Sequence, residues 1–227
     1  MKLFALVLVA AAAFVAVTAG AAGATDECRG IQQCIRVPGP WVVVPAHGQA
    51  QYLLTCPKGR SVVGGLDAQA TSREVHVSFD GRLGAPVQPG QTTTRYAFFR
   101  AVSTSTRTQA FQPLLGCIPT QGGGGRSTVS ARVVPVGQPL ELRSRIVVVG
   151  PGDVKFARIA CRRNEKLVGS WHAIAFRTKQ PPSLAHVGLV HAGHHVVGKR
   201  VVVTASSTDA LSPDAHAIVQ GGAECAP

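Results

Sequence analysis

The stretch at residues 52–65, YLLTCPKGRSVVGG, decides how this chain is read, because a blurred copy of it, ARIACRRNEKLVGS, returns at residues 157–170. In each copy an apolar segment ends at a cysteine, a basic loop follows, and a valine–glycine turn leads into the next apolar segment. Sliding the chain against itself by 105 residues lays Cys56 on Cys161, Val42 to Val44 on Val147 to Val149, Gly64 on Gly169, Ala68 on Ala173 and Arg95 on Arg200. The halves also finish alike, Cys117-Ile118-Pro119 matching Cys225-Ala226-Pro227 at a shift of 108. Duplication of a unit of roughly 95 residues is the simplest account. The copies keep cysteines, valines and a glycine, whereas Asp67 falls on His172 and His47 on Gly152. The repeat therefore reads as a framework and not as an active site kept twice.

Working outward, each half is a series of short β-type runs. They are WVVVP, QYLLTC, RSVVGGL, EVHVSF and RYAFFRAV in the first, then LELRSRIVVV, KFARIAC, KLVGSWHAIAF, HVGLV and KRVVVTAS in the second. In EVHVSF the apolar Val75, Val77 and Phe79 alternate with Glu74, His76 and Ser78, the period of two of a strand with one buried face. Prolines and glycines fall largely between such runs, as turns do. No helix-length segment of 3.6-residue period follows the first 24 residues. The expected fold is all-β, two tandem β-sandwich or barrel-like units at residues 25–119 and 131–227. The linker at 120–130 contains four consecutive glycines, which hold regular structure only at high entropic cost.

Residues 1–24 have the layout of a secretory signal: Lys2, an apolar run from Leu3 to Val17, then small residues ending in Ala22-Gly23-Ala24. The run is shorter than the roughly 20 residues needed to span a bilayer. The expectation is an exported, extracellular or surface-associated protein without an integral span in its mature form. All 6 cysteines follow the signal, and an even count in an exported chain favours disulfides. The duplication pairs Cys56 with Cys117 and Cys161 with Cys225, leaving Cys28 for Cys34, although six cysteines allow other connectivities. Closing a loop of about 60 residues contributes roughly 4 kcal/mol in the chain-entropy model.

The run C-P-x-G-x-x-V-x-G-G from Cys56 to Gly65, closed by Cys117, resembles a motif of uncharacterised secreted proteins of high-GC Gram-positive bacteria. The resemblance implies export, a β-fold and a disulfide, and it carries no activity. The second half departs from the motif, with Arg162, Asn164 and Ser170 where Pro, Gly and Gly would stand.

The net charge is +12. A field of that sign attracts anionic wall polymers, polysaccharide, lipid head groups or nucleic acid. Arg162-Arg163 and Lys199-Arg200 are the adjacent basic pairs, and with Arg60 they are the candidate contacts for a polyanion. The segment VHAGHHVV offers His191, His194 and His195, with His186 nearby, as a possible Zn²⁺ or Cu²⁺ site on a loop turned by Gly193. No H-E-x-x-H pattern accompanies them. Ser206, Ser207, Asp209, Asp214 and His216 concentrate polar groups, yet Ser212-Pro213-Asp214 reads as a turn and lacks calcium-loop spacing. A G-x-S-x-G elbow and a phosphate-binding G-x-x-x-x-G-K-[ST] loop are both missing. Trp41 and Trp171 read as core residues, and RYAFFRAV, with rings on both faces, reads as a buried strand rather than a base-stacking platform. The leading expectation is thus a non-enzymatic β-protein binding an envelope polymer or polysaccharide, with no cofactor. Its rival is an extracellular metal-dependent or hydrolytic enzyme using the His191–His195 segment.

Overall fold

The computed structural model describes residues 35–57, 61–81, 95–119 and 140–227. The signal segment, the Cys28–Cys34 pair, Arg60 and the Gly-rich linker lie outside the described residues. The first half forms β1 (Ile35–Pro38), β2 (Trp41–Val44), β3 (Gln49–Thr55), β4 (Ser61–Ala70), β5 (Val75–Gly81), β6 (Tyr96–Ser103) and β7 (Gln109–Pro119). The second forms β8 (Glu141–Val149), β9 (Val154–Ala160), β10 (Lys166–Phe176), a short helix α1 (Leu184–Gly188), β11 (Val190–Val197), β12 (Arg200–Ser207) and β13 (Ala217–Ala226). A single 3₁₀ turn, Pro213–Ala215, precedes β13. The protein is nearly all β, as its alternating apolar runs require.

Two three-stranded sheets, β3-β6-β5 and β11-β12-β9, flank a seven-stranded antiparallel sheet. In the large sheet β7 pairs with β4 on one side and with β1 and β2 on the other, and the order continues through β10 and β13 to β8. One sheet therefore runs through both halves, joined where Val42 faces Ala175 and Trp41 faces Phe176. Alternation along β2 fixes the layering. Val42 and Val44 join a core containing Tyr52, Phe99 and Phe111, while Val43 joins a core containing Ile159, Val201 and Val219. The two small sheets thus cover opposite faces of the large one.

Within each half the pairing order is the same: β4-β7-β1/β2 and β5-β6-β3 in the first, β10-β13-β8 and β11-β12-β9 in the second. Both β4 and β10 carry a one-residue register shift, between Val63 and Gly65 and between Leu167 and Gly169. Cys56–Cys117 and Cys161–Cys225 are disulfides in equivalent places. The single offset of 105 does not hold throughout. Val63 faces Cys117 and Leu167 faces Cys225, so β4 and β10 align at 104, which equates Ala68 with His172 and Asp67 with Trp171. β6 and β12 likewise align at 104, which sets Arg200 on Tyr96 and not on Arg95.

Two further readings are corrected. The run HVGLV is not a strand: the Ser183 hydroxyl accepts from the His186 N–H and caps α1, which ends before Val190 opens β11. The run VHAGHHVV is not a loop turned at Gly193 but the strand β11, paired along its length with β12.

The halves are also clamped by side chains. Buried Gln220 on β13 accepts from the Leu53 N–H at 2.7 Å and donates to the Leu53 carbonyl at 2.9 Å, satisfying the outer edge of β3 as a neighbouring strand would. Beside it Trp171 packs edge-on against Phe98, ring centroids 4.7 Å apart, over Gly222, where any Cβ would strike the indole. Trp41 and Trp171 are both core residues, and Phe98 and Phe99 are buried on opposite faces of β6.

Candidate functional site: a basic tip and a serine–histidine cluster

The repeated Cys loop, residues 161–166, sits against the β11–β12 hairpin. The Cys161 N–H donates to the Lys199 carbonyl at 3.1 Å, and Lys199 Nζ donates to the Arg163 carbonyl at 2.8 Å. The disulfide to Cys225 anchors the loop from below. Buried Glu165 closes it: one carboxylate oxygen accepts from the Arg162 N–H at 2.7 Å and the other from Arg143 Nη2 at 2.8 Å. Arg143 also donates to the Ala160 carbonyl at 3.0 Å.

This frame brings together four of the five basic residues singled out from the sequence, Arg162, Arg163, Lys199 and Arg200, all exposed. Arg158 joins them: it faces Val202 on β12 while Arg200 faces Ala160, so the two lie diagonally on the outward face. Among the described residues no carboxylate forms an ion pair with any of the five, and Glu165 is already committed to Arg143 and the loop backbone. A hydrogen-bonded loop whose exposed cations pair with no carboxylate among the described residues is suited to the fixed anionic groups of a polymer.

The histidines separate. Alternation along β11 turns His191 and His195 outward, whereas His194, opposite buried Val203, turns inward. The three proposed ligands therefore do not converge, because a strand places neighbours on opposite faces. His186 lies on α1 and lines a shallow depression with Phe176, Pro181, Ser212 and Asp214. Ser212 caps the 3₁₀ turn there, accepting from the Asp214 N–H, so this polar segment is indeed a turn. Among the described residues, Cys161, Glu165 and Cys225 are the one group close enough to hold a metal, and its two sulfurs are joined to each other.

Inward-facing His194 instead meets β10. Its Nε2 lies 3.1 Å from Ser170 Oγ and its Nδ1 lies 2.6 Å from His172 Nδ1. All three residues are half-buried, between β10 and β11. Desolvation first, and then the neighbouring imidazole, holds His172 below the ordinary histidine range; for His194 the causes are desolvation and then His195. Ser170 and His172 escaped sequence reasoning because they sit 24 and 22 residues from His194. The available signal was S-W-H itself, polar–aromatic–polar in a strand, which puts Ser170 and His172 on one face.

No protein-family model matches the chain, and no curated protein sequence matches it either. Among the described residues no helix is long and apolar enough to cross a membrane.

Proposed function

We propose that this chain is an exported, disulfide-stapled β-protein that binds an anionic polymer of the cell envelope or its surroundings through the basic tip formed by Arg158, Arg162, Arg163, Lys199 and Arg200. The observation that carries the reading is the convergence of these groups from two neighbouring strand connections and their flanking strands, beside Glu165, which is itself paired with Arg143. The preorganised loop favours binding because little chain entropy is lost when the ligand docks. Export is supported by the signal-like first 24 residues and the two disulfides. The matched pairing orders and register shifts support descent of both halves from one unit.

The test is retention on immobilised heparin as a function of salt. The wild-type protein binds at low ionic strength and elutes as salt rises. The triple variant Arg162→Glu, Arg163→Glu, Lys199→Glu lowers affinity by about tenfold or more. Reversing the exposed Arg73 and Arg107 in the first half has a much smaller effect. Equal losses from both variants would show attraction by net charge alone and refute a site at the tip.

A further inference from the structure

The serine–histidine cluster has a built-in control in the other half of the molecule. Ser170 and His172 face Ala223 and Gly221 on β13, and their register equivalents, Leu66 and Ala68, face Leu115 and Pro113 on β7. His194 faces Val203 as Phe79 faces Phe99. The same three positions are thus leucine, alanine and phenylalanine in the first half, where Leu66 and Ala68 pack in the core and Phe79 lies edge-on against Phe99. Partly burying a hydroxyl and two imidazoles where apolar side chains serve the packing costs free energy. The polar set in the second half therefore calls for a role besides packing.

We propose that Ser170 is a nucleophile for acyl transfer from carboxylic esters, with His194 as its general base and His172 as a positioning residue. One proton assignment compatible with both contacts has Ser170 O–H donating to Nε2 of His194 and Nδ1–H of His194 donating to Nδ1 of His172. That is a nucleophile within reach of a base whose tautomer is fixed by a third group. Desolvation lowers the pKa of both rings and so favours the neutral form, the one in which His194 can accept a proton.

In the first step Ser170 Oγ bonds to the ester carbonyl carbon, its proton passes to His194 Nε2, and the carbonyl electron pair moves onto oxygen. Collapse breaks the bond to the alcohol oxygen, which leaves with the proton from His194. Water then attacks the acyl-serine, giving a proton to His194 that returns to Ser170 Oγ as the acid departs. Ester and water become acid and alcohol, and no other reactant is needed.

The experiment treats the disulfide-intact protein with a fluorophosphonate and maps the adduct by mass spectrometry, alongside hydrolysis of 4-nitrophenyl acetate. Expected results are phosphonylation of Ser170, and hydrolysis reduced about 100-fold by Ser170→Ala or by His194→Ala. His172→Asn, which keeps an acceptor near the place of Nδ1, retains more labelling than His172→Leu, a difference that loss of packing alone would not produce. A folded protein with Ser170 unlabelled, or one labelled at the same rate after His194→Ala, overturns the proposal. The small uncharged probe needs no polyanion, so this outcome is independent of heparin binding.

Discussion

His47 and Gly152 occupy equivalent hairpins, between β2 and β3 and between β8 and β9, and both have left-handed backbone, with φ of 48° and 67°. Sequence comparison set the two side by side as a mismatch of chemistry. The backbone shows a shared need for positive φ, which glycine meets without strain and histidine does not. The exposed His47→Gly should raise stability by about 1 kcal/mol, seen as a higher midpoint in urea. Gly152→Ala should lower it by about 1–2 kcal/mol, because the added methyl adopts the unfavourable φ and also meets Asp209. Pairs of His172 and His194 give a second expectation at this scale. Both titrate below the ordinary histidine range in the folded chain, so the unfolded chain binds protons first. Their contribution is complete above a pH of about 6.5 and is lost as pH falls through and below that value. Thermal midpoints measured from pH 7 to pH 5 should fall, and less steeply once His172 and His194 are both replaced by glutamine.

At the scale of elements, the strands were legible both from alternation, as in EVHVSF, and from short apolar β-branched or aromatic runs, as in RYAFFRAV and the valine runs. Legibility failed where local and distant forces compete. HVGLV has strand-like residues, yet Ser183 nucleates a helical turn by capping. VHAGHHVV contains a glycine that suggests a turn, yet β12 beside it supplies a full ladder and overrides that preference. The offset of 105 slipped to 104 in β4 and β10 because register is fixed by pairing partners, which a one-dimensional comparison does not contain. Convergence of the basic tip was half visible as two adjacent pairs; its closure by Arg143 and Glu165 required the fold. The Gln220 clamp was invisible for the same reason, spanning 167 residues. Gln220→Leu strands the Leu53 N–H and carbonyl in the interior and should cost about 2–4 kcal/mol, measured by chemical denaturation.

For the whole molecule, the sharing of one sheet means the halves are not beads on a string. Trp41 and Val43 from the first half are 3% and 8% exposed, and Val43 packs in the core of the second half. Among the described residues the β8 edge at the far end has no such cover: Ile146 and Val148, at the equivalent positions, are 43% and 56% exposed. There Lys155 reaches across from β9 and donates to the Val148 carbonyl at 2.9 Å, placing a charge on an edge that would otherwise invite another strand.

The two cross-links also govern how the molecule responds to tension. Each withholds its enclosed segment, spanning sequence separations of 61 and 64 between the joined cysteines, from any pull applied outside the loops. At about 3.4 Å per residue, roughly 200 Å of contour stays locked behind each bond. A tether at a stressed surface would yield only the stretches outside the two loops, and full slack would appear only after chemical reduction.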